Sequence, residues 1–116
     1  MDLLDRSSIF KLHAEFCKIL ADTSRLLIIS ELSKGEVSVG ELTKRLELGQ
    51  SNVSKHLALM RERGLVNTRR QGAVIYYSLS DRRIYDAIRL LISVQNDQIE
   101  RQHLLTSTQE NRQSNS

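Results

Sequence analysis

A chain of 116 residues with 40% hydrophobic content suits one domain with a modest core, of a size that often gains stability by dimerising. Aromatic residues at 4% and the absence of Trp leave little for a base-stacking platform, and no apolar run approaches the ~20 residues of a membrane span. No basic-then-apolar signal peptide opens the chain, and its single cysteine, Cys17, excludes an internal disulfide, which suits a reducing cytoplasm. The net charge of +3 is unevenly spread. Residues 43–70 hold seven basic side chains (Lys44, Arg45, Lys55, Arg61, Arg63, Arg69, Arg70) against Glu47 and Glu62, a surplus of five, so the remainder sums to −2. A basic segment on a neutral-to-acidic body is the footprint expected of a phosphate-binding face, although a charge run is by itself equally a solvated surface.

Residues 1–7 read as an N-terminal extension. From Ile9, apolar residues at steps of three or four (Ile9, Leu12, Phe16, Leu20) predict a first amphipathic helix. Asp22 or Thr23 caps a second helix with the stripe Leu26, Ile29 and Leu32, and Gly35 is its natural stop. Ser38 and Glu41 form an S-x-x-E capping box for a short third helix with Val39, Leu42 and Leu46 inward. A tight turn at Leu48-Gly49 follows, and Ser51 is the expected cap of a fourth helix with Val53, Leu57 and Met60 inward and Gly64 at its end.

The period then changes to two: Leu65–Arg70 and Ala73–Leu79 read as strands joined by a Gln71-Gly72 turn, with Ile75, Tyr77 and Leu79 on one face. Asp81 caps a long last helix carrying Ile84, Ile88, Leu91 and Ile99. From Thr106 to Ser116 the composition is polar and predicts a disordered tail, leaving 8–105 as the folded domain. The fold class is therefore mainly α with a β-hairpin wing: four helices, a hairpin and a fifth helix, a winged helix-turn-helix.

The fourth helix is aliphatic inside, while its opening turns present Gln50, Ser51, Asn52, Ser54, Lys55 and His56. Small amide and hydroxyl groups allow close approach to base edges and both donate and accept there. Lys55, Arg61 and Arg63 are placed for phosphates, as are the amides at the helix start. Arg69 and Arg70, with Gln71, sit near the hairpin tip, where a wing reaches the backbone or minor groove. An ordinary surface helix would explain residues 50–63 alone, but the basic wing just downstream favours double-stranded DNA. The alternative is a winged-helix domain that has become a protein-interaction module; such a surface would lack the basic face that Lys55, Arg69 and Arg70 supply. Nothing points to an enzyme: there is no Gly-rich phosphate loop, no H-E-x-x-H, and the one nucleophile-like pair, Cys17 with His13, has no third orienting group.

The sequence resembles the ArsR/SmtB family of winged-helix repressors in Leu20-Ala21-Asp22-Thr23-Ser24-Arg25-Leu26, in Gln50-Ser51-Asn52-Val53-Ser54-Lys55-His56-Leu57, in Gly64-Leu65-Val66, and from Arg70-Gln71-Gly72 to Tyr76-Tyr77-Ser78-Leu79, over about residues 8–103. The resemblance implies a homodimer built on the first and last helices, recognition helices in successive major grooves of a near-palindromic operator, and a repressor that an inducer releases. The last helix suits a twin: Asp81, Asp86, Asp97 and Glu100 balance Arg82, Arg83, Arg89 and Arg101.

The inducer sites of the family do not carry over. Its thiolate Cys-x-Cys in the third helix has Ser38 and Gly40 in its place, neither a ligand for a thiophilic metal. Its His-carboxylate site in the final helices finds only Asp86, Asp97, Glu100 and His103, a carboxylate-heavy set ill suited to zinc. No metal or other cofactor is expected, and any small inducer stays unnamed. Cys17 lies one turn after His13, beside Lys18, so it reads either as a thiol sensor or as a small buried hydrophobe next to Phe16. The family's redox sensors pair two cysteines per chain, and one is present here.

Overall fold

The side chain of Asp5 accepts a hydrogen bond from the Ser8 amide at 2.8 Å and so starts the first helix, α1 (Arg6–Leu20), three residues before the apolar periodicity begins. The computed structural model describes residues 5–114. The elements that follow are α2 (Thr23–Leu32), β1 (Val37–Ser38), α3 (Val39–Leu46), α4 (Gln50–Glu62), β2 (Val66–Gln71), β3 (Val74–Leu79) and α5 (Arg83–Ser114). The chain divides after Arg82 into a body made of α1–α4 with the sheet, and a second unit formed by α5.

The helix ends in the body are set by local chemistry. Asp22, not Thr23, caps α2, accepting from the Arg25 amide at 3.0 Å. Ser38 caps α3 through the Glu41 amide at 3.3 Å. Glu41 turns its carboxylate instead to Arg45 Nε, also 3.3 Å away. The bend between α3 and α4 uses Glu47 in the left-handed conformation (φ 53°), while Gly49 is the N-cap of α4 at φ −66°. Ser51 is thus inside the first turn rather than its cap, and no side chain caps α4. At the other end of α4, Gly64 (φ 78°) permits the Leu65 amide to reach the Met60 carbonyl at 2.8 Å, and its own amide to reach that of Arg61 at 3.0 Å. This paired closure takes up two of the helix's last carbonyls and turns Leu65 into the core.

The sheet is antiparallel in the order β1-β3-β2. Arg69 faces Tyr76 and Arg70 faces Ile75 across the hairpin, which turns at Gly72-Ala73, one residue later than the sequence suggested, with Gly72 at φ 62°. The two-residue β1 was not expected; Val37 pairs with Tyr77 and Ser38 with Tyr76, so the wing is joined to the residues that lead into α3. At the hairpin base, Ser80 donates its amide to Leu65 O and its hydroxyl to Gly64 O.

The core comprises Ile19, Ile28, Ile29, Leu32, Val37, Leu42, Val53, Leu57, Met60, Leu65 and Val66, with no buried polar side chain among the described residues. Helix α2 buries Ile28 and Ile29 together, whereas Leu26, placed in the stripe by sequence, is only half-buried. The second unit departs most from the sequence pattern. Helix α5 continues to Ser114 through the segment whose polar composition predicted a disordered tail. No Gly or Pro stands between residues 83 and 114 to stop it, and Thr106 Oγ1 donates to the Gln102 carbonyl within the helix. The predicted extension's residues 1–4 and the tail's residues 115–116 lie outside the described residues.

Candidate nucleic-acid interface

Helix α4 has two unlike sides. Val53, Leu57 and Met60 have no exposed surface and fix the helix on the body. Gln50, Ser51, Asn52, Ser54, Lys55, Arg61 and Arg63 are all exposed, so seven of the sequence-predicted polar residues share the outward side or its C-terminal end. With no side-chain cap at Gly49, the first-turn amides of α4 also remain available to an outside acceptor.

His56 is the exception. Its side chain is 17% exposed, its Nδ1 lies 3.3 Å from Arg25 Nη1, and its Nε2 is 3.9 Å from Asp22 Oδ1. A guanidinium only donates, so Nδ1 is the acceptor and the neutral ring carries its proton on Nε2, toward Asp22. Arg25 also gives Nε to the Ile19 carbonyl and Nη2 to that of Lys18, at the end of α1. One guanidinium therefore closes α1, stands in the first turn of α2 and holds the recognition helix through His56. The Asp22 carboxyl is held below the ordinary value of 3.8, first by the Arg25 amide hydrogen bond and then by the charge of Arg25, against the opposing effect of burial. The sequence placed His56 among the residues facing outward; the structure gives it to this junction.

The wing arginines also separate. Arg69 makes a two-pronged pair with Glu36, Nε to Oε2 at 2.9 Å and Nη2 to Oε1 at 2.7 Å. Its Nη1 donates to Gln71 Oε1 at 3.0 Å, and its guanidinium lies 4.8 Å from the centre of the Tyr76 ring. The hydrogen bond from Arg69 lowers the pKa of Glu36 and raises that of Arg69. Arg70 is exposed and has no such partner among the described residues. It sits on the strand face of Ile75 and Tyr77, and these two residues line a cleft with Gln50 and Ser54 of α4, Ser38 of β1 and Gly40 of α3. Glu36 carried no signal in the linear pattern, and Tyr76 and Arg25 entered only as residues of the family resemblance; the fold brings all three to their partners.

A profile described as "Bacterial regulatory protein, arsR family" matches residues 22–68, from the cap of α2 into the wing. The transcriptional activator HlyU of Vibrio cholerae is 47% identical over 74 residues, 64% of this chain and 68% of that protein. The arsenical resistance operon repressor of Escherichia coli is 46% identical over 72 residues, covering 61% and 62%. Reduced HlyU superposes with a TM-score of 0.64 at 41% identity, over 75% of this chain and 95% of that one. The homodimeric winged helix-turn-helix DNA-binding domain of Mb0332 from Mycobacterium bovis, a possible ArsR-family regulator, does so with 0.69 at 26% identity, over 84% and 91%.

The chain belongs to the ArsR family of bacterial regulatory proteins. It is a transcription regulator whose body is a winged helix-turn-helix DNA-binding domain.

Among the described residues of this ArsR-family chain, no three His, Cys, Asp or Glu side chains gather as a metal site. Ser38 and Gly40 border the wing cleft instead. Cys17 is not a buried hydrophobe: it is exposed on α1, with Sγ 3.4 Å from His13 Nε2. His13 in turn stacks near Phe16, with ring centres 6.4 Å apart, while Lys18 pairs with Glu15 at 2.9 Å rather than with the thiol. No described helix is long and apolar enough to cross a membrane.

Proposed function

We propose that this ArsR-family regulator binds a near-palindromic operator as a homodimer and represses the genes beside it until a signal releases it. The observation that carries this reading is the outward side of α4, where Gln50, Ser51, Asn52, Ser54 and Lys55 stand clear of the core on a helix whose opposite side is locked in place. Gln50, Asn52 and the serines read base edges in the major groove, and Lys55 and Arg61 take phosphates. The wing, bearing Arg69 and Arg70, lies against the neighbouring backbone. His56 supports this surface from behind.

Dimerisation is supported by exposed apolar side chains on α1 (Ile9, Phe10, Leu12) and on α5 (Leu90, Leu91, Ile92, Val94, Ile99), which a single chain leaves in water. A homodimeric solved relative points the same way. Repression is the reading that follows relatives named as repressors, and HlyU, named an activator, marks its rival. The protein works in the cytoplasm, where its operator is.

The test is fluorescence anisotropy of a labelled duplex taken from upstream of the chain's own gene, titrated with reduced protein at several salt concentrations. Tight binding that weakens steeply with salt and exceeds that for random duplex supports the reading. Equal affinity for both duplexes refutes an operator at that place, and weak, salt-insensitive binding to either favours the protein-interaction alternative. A second reading concerns the signal: the exposed Cys17 beside His13 is open to a thiol-reactive inducer. Loss of operator binding on treatment with diamide or hydrogen peroxide, abolished by Cys17→Ser, supports it; an indifferent wild type retires it.

A further inference from the structure

The two adjacent wing arginines have opposite surroundings, and this has a consequence for how the wing meets DNA. Side chains alternate along a strand, so Arg69 and Arg70 point to opposite faces of the hairpin. Arg70 shares its face with Ile75 and Tyr77, on the side of the cleft that α4 borders with Gln50 and Ser54. Arg69 shares the other face with Tyr76, its cross-strand partner.

The Arg69 pair is also long-range in the sheet. Arg69 is on β2 and Glu36 immediately precedes β1, and these two strands are not neighbours, because β3 lies between them. The guanidinium passes over the Tyr76 ring at 4.8 Å and ends on the Glu36 carboxylate with two bonds of 2.7 and 2.9 Å. The bridge thus ties the far strand of the wing to the residues that open α3. To reach a phosphate, Arg69 would have to exchange a carboxylate already held in fork geometry for a phosphate. It would also leave the Glu36 charge uncompensated close to polyanionic DNA.

We propose that Arg69 is a positioning residue of the wing: by bridging Tyr76 and Glu36 it fixes the angle of the hairpin on the α3–α4 unit, and Arg70 alone of the pair meets the sugar–phosphate backbone. The inference rests on the DNA-binding reading above, and it makes Glu36 a residue whose loss harms binding although its charge opposes DNA.

That sign separates the two roles. Arg70→Ala, Arg69→Ala, Glu36→Ala and the reciprocal swap Glu36→Arg/Arg69→Glu are compared with wild type by anisotropy over a salt series. If Arg69 positions the wing, Arg69→Ala and Glu36→Ala weaken operator binding to a similar extent, about fivefold, and together no more than singly. Both keep the wild-type salt slope. The swap recovers most of the loss. Arg70→Ala flattens the slope by about 0.9 for each phosphate that the side chain neutralises in the wild type. If Arg69 itself bound a phosphate and Glu36 merely held it back, Glu36→Ala would free it, tightening binding and steepening the slope, while Arg69→Ala would flatten it as Arg70→Ala does. Either of these results, or an unchanged affinity in Glu36→Ala, overturns the proposal.

Hydrogen exchange on the free protein supplies a readout that needs no DNA. Arg69→Ala and Glu36→Ala should each speed exchange of the β2–β3 amides while leaving α4 protected, and the swap should restore the wild-type rates. Unchanged wing exchange in both single variants sinks the bridge as a latch even if the operator reading stands. A wing loosened in the variants of a protein that binds no DNA would show the reverse case, a latch without that function.

Discussion

Substituting Leu91 by Glu tests the proposed dimer at its most exposed point. Leu91 is 70% exposed on α5, and Ile88, three residues before it, and Ile99, eight after, extend the same stripe. In a two-fold dimer one substitution removes two leucines from the seam, since both copies present the same surface. Burying a leucine side chain is worth about 1.5–3 kcal/mol, so the pair contributes about 3–6 kcal/mol to association. At about 1.4 kcal/mol per tenfold, the dimer Kd should rise by roughly two to four orders of magnitude, and two carboxylates forced into an apolar seam raise it further. Sedimentation velocity from 0.1 to 100 µM reads this directly. The wild type should sediment at twice the 13.3 kDa of one chain, and Leu91→Glu as a monomer over most of the range, with helix content by circular dichroism preserved. Operator affinity should fall alongside, because the two recognition helices are no longer linked. A wild type that remains monomeric at 100 µM, or a variant with unchanged Kd, would refute the assignment of this stripe to self-association.

Three further outcomes follow from the body. Leu57→Ala removes a fully buried side chain from α4 and should cost about 2–5 kcal/mol by urea unfolding, a large part of a stability of about 5–15 kcal/mol; a loss below 1 kcal/mol would deny that this residue anchors the helix. Asp22, whose pKa is lowered in the folded state, stabilises the fold above the ordinary aspartate range, and this contribution fades as pH falls through the lowered value. Thermal melts of wild type and Asp22→Ala between pH 2 and 7 should therefore converge toward the acid end, and a constant gap would contradict the role of the carboxylate. On operator DNA, Lys55→Ala should weaken binding to all sequences and lower the salt slope, whereas Asn52→Ala should chiefly narrow the gap between operator and random duplex. The reverse pattern, measured by anisotropy, would exchange their assignments.

What was legible in the sequence was what repeats at short range. The three-residue spacing of Leu57 and Met60 reflects burial of one side of α4, and the alternation of Tyr77 and Leu79 marked β3 as a strand, although Tyr76 to Leu79 are all half-buried and Ile75 is exposed. The caps of α2 and α3 were legible to within a residue, because Asp22 and Ser38 each satisfy an amide three residues away. Short-range pattern failed where the partner lies elsewhere. The strand β1 has two residues and no period of its own; it exists because β3 offers it a free edge. Composition predicted a disordered tail from residue 106, whereas the backbone of residues 106–114 is helical, because polarity alone does not say whether a segment is a helix.

The same distinction reshapes the site. Polarity and charge put His56 and Arg69 on the DNA surface, by the reasoning that succeeded for Gln50, Asn52 and Lys55 as exposed residues of α4. The structure finds both occupied, His56 by Arg25 thirty-one residues earlier and Arg69 by Glu36 thirty-three residues earlier. In each case a residue from α2 or from the approach to α3 steadies part of the interface: one pair holds the recognition helix against the end of α1, the other holds the wing against α3. A polar side chain in a recognition element therefore has two physical uses, and the partner decides between them. On the proposed reading, Gln50, Asn52, Lys55 and Arg70, which have no protein partner among the described residues, meet the DNA, and the two that are paired set the angle at which it is met.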